Sequence, residues 1–318
     1  MIRRHRILVI GRNGQLAQAL EAAEWPSLTS LHFAGRDEID LFHPLRLRQQ
    51  LSALGPEIII NTAGYARIDL AAQEPEAAFA LNAMAVETLA TAAAMLDIPL
   101  LHHSSAHVFS GDRSGAYVES DQADPVSIYG QSMQSGEAAI RRARGRYLIL
   151  RTSRLFGLHG DNFLKSILAL GRKAEHLGFT ANGYACPTPT EALAAIVPHI
   201  AIAMIEERRF PLILHYAGDM PASWYEIASE IFALAGRYMP VPELAPIEVP
   251  AGGSTASGSP AKGCNLALDS SQAHRLGLPR VDWRAALPAL IETLCQSDAL
   301  SEAAAAEPAL PLAAVHAA

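Results

Sequence analysis

Cysteine is scarce: three residues in 318, at positions 186, 264 and 295, with no Cys-x-x-Cys pair. That spacing excludes a disulfide framework and a cysteine-ligated zinc site, and it makes a reducing cytoplasm the expected location. Charge is sparse too. Only 18% of residues are charged, and the formal net charge is −7. An acidic balance argues against a protein that coats nucleic acid, while leaving room for a local basic pocket that meets phosphates. No stretch reads as long and apolar enough to span a membrane. The start, Met1-Ile-Arg-Arg-His-Arg, has the charge of a signal-peptide n-region, but the apolar run behind it stops at Gly11 after four residues, too short for an h-region. No internal repeat is visible.

Apolar residues are abundant, at 50% of the chain. A large buried core follows, and wholesale disorder is excluded. The length suits one large α/β domain or two intimate ones. Short apolar runs at 7–10, 31–34, 58–61, 100–104 and 147–152 read as strands, and the stretches 15–23, 44–54, 75–96 and 127–143 between them read as helices. Continuous apolar strands separated by helices predict a doubly wound parallel Rossmann-type sheet covered on both faces. After Arg151 the pattern loosens. Helices are expected at 162–173, 191–207, 223–235 and 283–294, with a short strand at 212–216. The Pro-, Gly- and Ser-rich stretch 240–263 is expected to be a long loop. The resulting division is a dinucleotide-binding domain over 1–153, a smaller C-terminal substrate-binding domain over 154–296 with 185–216 returning to the sheet, and an Ala-rich tail over 297–318.

The first strand runs into Gly11-Arg12-Asn13-Gly14-Gln15-Leu16-Ala17 and then a helix. Glycines at 11 and 14 permit a tight turn and close approach of backbone to a pyrophosphate, and the helix N-terminus offers N–H groups and a positive dipole end. Gly11, Asn13, Gly14, Gln15 and Leu16 are therefore candidate cofactor residues. The second strand ends at Gly35-Arg36-Asp37, where NAD-preferring enzymes place a carboxylate for the ribose 2′-hydroxyl. A small tip followed by Arg36 suits a 2′-phosphate, so NADP(H) is expected, with NAD(H) the weaker alternative. Asp37 would blunt that preference, and a solvated surface arginine is the other reading of Arg36. Asp40 and Leu41 are placed at the adenine pocket. The pair His102-His103 invites a metal reading, but neighbouring strand residues point to opposite faces, so no metal site is expected.

In these motifs the chain resembles the extended short-chain dehydrogenase/reductases, and specifically the dTDP-4-dehydrorhamnose reductase family, over about residues 5–295. Gly11-x-x-Gly14-Gln15-Leu16 is followed by Asn61-Thr62-Ala63-Gly64-Tyr65, similar to the family's Asn-Ala-Ala-Ala-Tyr. Leu81-Asn82-Ala83, Ser104-Ser105-Ala106-His107-Val108-Phe109, Pro125-Val-Ser-Ile-Tyr129-Gly130, Arg151-Thr152-Ser153, Asn162-Phe163, Pro187-Thr188, Ser223-Trp224-Tyr225 and Asp282-Trp283-Arg284 follow in the family's order. The resemblance implies reduction of the 4-keto group of a nucleotide-linked deoxysugar by NADPH, the step that completes dTDP-rhamnose. It implies Tyr129 as proton donor to the ketone oxygen and Ser105, in place of a threonine, as a hydrogen-bond donor to that oxygen. It places Ala63, Gly64 and Tyr65 against the cofactor and Ser104, Ala106, His107, Arg154 and Lys262 around the substrate.

The departures cluster at the sugar and the proton. The family's Tyr-x-x-x-Lys reads Tyr129-Gly130-Gln131-Ser132-Met133, which puts a neutral thioether where a lysine would contact the nicotinamide ribose and lower the tyrosine pKa. Ala106-His107 replaces Asp-Tyr, Arg154 replaces a tryptophan, Ala72 replaces a glutamate, and Lys262-Gly263 replaces Arg-Pro. Arg154 and His107 either supply the missing charge or proton, or simply fill vacated space. Two functions follow: a reductase with an altered site, or a catalytically impaired NADP-binding regulatory or interaction protein on the same fold. The expected partner is a nucleotide sugar or related small molecule, with no nucleic acid and no membrane, and a homo-oligomer is compatible with the sequence.

Overall fold

Ile58-Ile59-Ile60 places three β-branched residues in a row, all fully buried. A strand buried on both faces is the natural home for such a run. The computed structural model describes residues 4–208, 210–248 and 265–297. In chain order it begins β1 (His5–Ile10), α1 (Gln15–Ala22), β2 (Thr29–Ala34), α2 (Pro44–Leu54) and β3 (Ile58–Asn61). Pro44 starts α2 at its first helical turn and Gly55 closes it in the left-handed region at φ 54°. Next come α3 (Pro75–Phe79), a π-helical turn (Ala80–Met84) and α4 (Ala85–Met95), then β4 (Leu100–Ser105), a 3-10 turn (Ala106–Val108), α5 (Ile128–Ala143) and β5 (Tyr147–Thr152).

The second half supplies β6 (Leu155–Phe156), α6 (Phe163–Gly171), β7 (His176–Thr180), β8 (Tyr184–Ala185), β9 (Thr188–Pro189), α7 (Thr190–Ile205), β10 (Ile213–His215), β11 (Ala222–Ser223), α8 (Trp224–Ala235), β12 (Glu243–Ile247), α9 (Ser271–Arg275) and α10 (Trp283–Gln296). The main sheet is parallel, in the order β10-β5-β4-β3-β1-β2. Chain direction across the sheet reverses at β1, which has β2 on one side and β3 on the other. The crevice outside their C-terminal ends is where such folds bind ligands. Side chains alternate about the sheet. Ile7, Val9, Leu101 and Leu150 pack with α1 and α7, and Leu8, Ile10, Leu100 and Ile149 pack with α2, α4 and α5. A second core joins α6, α8, α10 and β7 around the fully buried Trp283.

Three expectations need correction. The expected helix over 75–96 is broken in register by the π turn. That same run, Pro75–Met95, is 21 residues long and holds an 18-residue window of mean hydropathy 1.4, so one segment does meet the length and composition for crossing a membrane. Here it is a core helix: Val86, Leu89 and Ala93 pack with Leu47 and Leu51 of α2 and Ile140 of α5. The expected loop over 240–263 contains β12, which pairs in parallel with β7. Residues 249–264, and with them Lys262, lie outside the described residues, as does the tail beyond 297.

One buried polar network crosses several of these elements. Glu137 of α5 is fully buried. It accepts hydrogen bonds from Arg151 Nε (2.8 Å) and Nη2 (2.7 Å) on β5 and from Ser104 Oγ (2.7 Å) on β4. Arg151 Nη1 donates to His215 Nε2 of β10 at 3.4 Å, and His215 Nδ1 donates to the Tyr117 carbonyl at 3.1 Å. Burial alone would push the Glu137 carboxyl up, but Arg151, Ser104 and Arg141 together hold it below its usual range. Glu137→Gln should therefore cost about 3–5 kcal/mol in urea unfolding at pH 7, because it strands the buried Arg151 charge. A loss below about 1 kcal/mol would contradict this account.

Acid should act earlier through the buried histidines. Burial, followed by the Arg151 charge, depresses His215 to about 4, and burial depresses His102 to about 4 against the opposing pull of Glu137. The unfolded chain then binds more protons than the native one between about pH 6.5 and 4. The stabilisation is full above pH 6.5 and drains as the pH falls through that window. Between pH 8 and 5.5 the two groups together should remove about 2–3 kcal/mol. A flat urea midpoint over that range would show that they do not titrate on unfolding.

Candidate active site

Gly11 has φ 105°, and a Cβ there would lie 2.7 Å from the Ala63 nitrogen and 2.8 Å from Thr62 Oγ1. Only glycine lets the loop after β1 touch the loop after β3. Gly14 caps α1 with no side-chain hydrogen bond, and the first turn carries no acidic residue. Those features leave the N-terminal amides of α1 and its positive dipole end facing the crevice. A cradle of bare backbone at a helix start fits the diphosphate of a dinucleotide. Leu16 is buried beneath it, and Asn13 and Gly14 are exposed at the rim. The loop after β6 closes over Gln15, since a Cβ on Gly160 would meet the Gln15 Cβ at 3.0 Å.

At the tip of β2 the structure adds a residue that the sequence reading passed over. Arg12 reaches across Gly35 with Nη2 3.0 Å from Asp37 and Nη1 3.0 Å from Glu38. A Cβ on Gly35 would lie 3.2 Å from Arg12 Nη2. Arg36 is exposed. The same tip thus carries two guanidinium groups, and Arg12 is the one its carboxylate neighbours hold in place. Asp40 and Leu41 follow, both half-buried. The Asp40 carboxylate accepts from the Phe42 amide at 3.0 Å.

The loop after β3 is pinned from below. Asn61 Oδ1 accepts from the Ala63 amide at 3.2 Å, and Asn61 Nδ2 donates to His102 Nδ1 at 3.0 Å. Asn82, in the π turn, accepts from the Tyr65 amide (2.8 Å) and donates to the Tyr65 carbonyl (3.1 Å) and to Ser132 Oγ (3.0 Å). The widened turn lets one side chain serve both the loop and α5. The Tyr65 hydroxyl donates to Glu74 at 2.8 Å. Gly136 makes the approach possible: a Cβ there would lie 2.1 Å from the Asn82 carbonyl.

Ser105 and Tyr129 meet above this base. Ser105 ends β4, and its hydroxyl accepts the His107 amide at 3.2 Å. Ser127 caps α5 and starts the helix two residues before Tyr129. Gly130 brings it close, since a Cβ there would lie 2.1 Å from the His107 carbonyl. Burial raises the Tyr129 phenol above its ordinary value, and the neighbouring Ser105 hydroxyl pulls it part of the way back. The phenol is therefore neutral and holds its proton near pH 7. Met133, one turn on, is buried in the same apolar cluster as Tyr65, Ala106, Tyr129 and Cys186. His107 stands edge-on to Tyr129, with ring centroids 5.4 Å apart. Burial, with the Arg154 charge behind it, lowers His107 to about 4, so it is neutral as well. Arg154 stacks on Trp224 with its guanidinium carbon 3.8 Å from the ring centroid.

Ser104 requires correction. It lies on the opposite face of β4 from Ser105, is buried, and donates to Glu137, so its hydroxyl cannot reach a substrate. Ala106 is buried and brings no polar group. His102 and His103 also face opposite sides of the strand.

The family model for the RmlD substrate binding domain matches residues 5–296. The dTDP-4-dehydrorhamnose reductase of Sinorhizobium fredii is 35% identical over 251 residues, covering 77% of this chain and 84% of that one. Its counterpart from Burkholderia thailandensis is 31% identical over 309 residues, covering 93% of this chain and all of that one. Among solved structures, the dTDP-4-dehydrorhamnose reductase of Bacillus anthracis in complex with NADP superposes with a TM-score of 0.80 at 26% identity, covering 91% of this chain and 99% of that one. A glycine cradle at the β1–β3 crevice, a Ser–Tyr pair beside it and a match running almost end to end lead to one assignment: the chain belongs to the dTDP-4-dehydrorhamnose reductase family.

Proposed function

We propose that the protein is an NADPH-dependent reductase of the 4-keto group of a nucleotide-linked deoxysugar, of the dTDP-4-dehydrorhamnose type. The observation that carries this reading is the pairing of Ser105 with Tyr129 at the C-terminal edge of the sheet, where Gly130 lets α5 close on the turn after β4. Its phenol is buried, neutral and able to give a proton. A nicotinamide cofactor, when bound, supplies the hydride. The chain's own residues do the rest. Gly11, Gly14 and the α1 amides hold the diphosphate, Asn61 and Asn82 fix the 62–65 loop, and Arg12 with Arg36 favours a 2′-phosphate. As negative charge grows on the ketone oxygen, Ser105 donates a hydrogen bond to it and Tyr129 delivers its proton. The relatives' activity and the NADP complex of the Bacillus anthracis protein support the substrate class and the cofactor. The impaired, regulatory reading rests on Met133 and Arg154, which depart from the family's lysine and tryptophan.

Met133 withholds a cation from the forming phenolate, so the rate should be low yet real. In steady-state assays with NADPH and dTDP-4-dehydrorhamnose, Tyr129→Phe should lose at least about 100-fold in kcat/KM. Met133→Lys should gain about tenfold, since recovering 1.4 kcal/mol gives that much. Undetectable turnover in the wild type and both variants, on a panel of keto sugar nucleotides, would overturn the reductase reading in favour of the regulatory one.

Calorimetric titration should show NADPH binding more tightly than NADH. Arg12→Ala should weaken NADPH by about tenfold, the scale of one charge-assisted contact, and leave NADH nearly unchanged. A larger loss from Arg36→Ala than from Arg12→Ala would transfer the role to Arg36.

A further inference from the structure

Asp37, Arg12, Glu38 and His32 form a continuous chain of polar contacts at the tip of β2. Arg12 Nη2 lies 3.0 Å from both carboxylate oxygens of Asp37, and Nη1 lies 3.0 Å from Glu38 Oε1. The other oxygen of that carboxylate, Glu38 Oε2, accepts from His32 Nε2 at 2.7 Å. Glu38 thus bridges a guanidinium to an imidazole. Its backbone is fixed there, because its amide donates to the Gly35 carbonyl at 3.1 Å and its carbonyl accepts from Gln50 of α2. His32 is exposed on the edge strand of the sheet, so a proton reaches it from solvent.

The charges on the neighbouring elements turn elsewhere. His32 stands beside Leu8 of β1, on the side of the sheet that α2 covers. Arg6, two residues earlier on β1, extends to Gly55 at the end of α2. On α2, Arg46 pairs with Asp40 at 3.8 Å, and Arg48 turns to Met95. The charge state of His32 therefore acts first on Glu38 and, through it, on Arg12.

Arg12 and Arg36 draw a 2′-phosphate to this tip, while Asp37 and Glu38 oppose it. The phosphate brings about two negative charges. A guanidinium edge that turns to it must leave a carboxylate, and Glu38, held through one oxygen where Asp37 is held through both, is the one released. Glu38 is then an anion beside an anion, and the imidazole is its remaining partner. Imidazole is the side chain that adds a proton near neutral pH. With Nε2–H already donated to Glu38, the proton enters at Nδ1 and the hydrogen bond becomes an ion pair. A 2′-hydroxyl brings no charge and calls for none of this.

We propose that His32 is a specificity-determining residue that couples the binding of NADP(H) to the uptake of a proton. The preference for a 2′-phosphate over a 2′-hydroxyl then rises as the pH falls from 8 toward 6.5. This inference rests on the β2 tip as the 2′-phosphate site and adds what regulates the choice there.

Calorimetric titration with NADP+ and NAD+, repeated in buffers of different ionisation enthalpy between about pH 6.5 and 8, reads affinity and proton exchange together. The proteins are wild type, His32→Gln and His32→Lys, substitutions at an exposed position that leave the core untouched. The wild type should take up a fraction of a proton with NADP+ that His32→Gln does not take up, and that neither protein takes up with NAD+. From pH 8 to 6.5 its NADP+ to NAD+ affinity ratio should rise, relative to that of His32→Gln, by about two- to fivefold, the scale of one exposed charge pair. The phosphate's own protonation, near pH 6, acts equally in both proteins, so the difference between them belongs to His32. His32→Lys, with a fixed charge beside Glu38, should keep the low-pH preference at pH 8 with no added uptake. Equal proton uptake by wild type and His32→Gln, or equal uptake with NAD+ and NADP+, would overturn the proposal and leave the cofactor site standing. Failure of the wild type to bind either dinucleotide would overturn both.

Discussion

The Glu137–Arg151 ion pair sets the geometry on which the site depends. Glu137 is on α5 with Tyr129, Arg151 is on β5, and Ser104 ties both to β4, one residue before Ser105. The phenol and the hydroxyl that meet above are therefore held by helix and strand locked together two turns below. A buried pair of this kind is weak as a source of net stability, because desolvation offsets much of its attraction. What it does enforce is register. Sliding or rotating α5 against the sheet would break three short hydrogen bonds to a carboxylate with no water to replace them.

Close backbone approach does the rest. Gly130 and Gly136 lie on α5 six residues apart, and each lets a carbonyl come nearer than any side chain would permit, from His107 and from Asn82 respectively. Asn82 reaches that place because α3 and α4 are joined by a π turn, and it then holds both Tyr65 and Ser132. Ser132 Oγ in turn donates to the Tyr129 carbonyl at 2.7 Å. The 62–65 loop and Tyr129 are thus parts of one hydrogen-bonded frame, and Met133 sits beside it in the same apolar cluster.

Much of this was legible in the residues. The apolar runs of β1, β3 and β5 announce a parallel sheet because both faces must be buried, and the glycines at 11 and 14 announce the cradle because they follow such a strand. Other features depend on contacts that no local pattern encodes. The π turn arises where α5 presses on Asn82. The strands β6, β8, β9 and β11 are two residues each and exist only as pairings. β12 sits in a stretch that composition marks as loop, and it tolerates Pro246 because it belongs to a two-stranded pair, not the interior of a sheet. Arg12 and Arg36 both flank the β2 tip, and only the positions of Asp37 and Glu38 show which of them is held there. Strand alternation was the available signal that separates Ser104 from Ser105.

The central claim is that this frame delivers a hydride and a proton to a sugar ketone. The most direct measurement is mass spectrometry of the sugar nucleotide recovered after incubating the protein with dTDP-4-dehydrorhamnose and NADPH carrying deuterium at nicotinamide C4, with each of the two faces labelled in turn. The account predicts one deuterium at sugar C4 from one labelled face and none from the other. Starting ketone recovered unlabelled and unreduced from both incubations would contradict it.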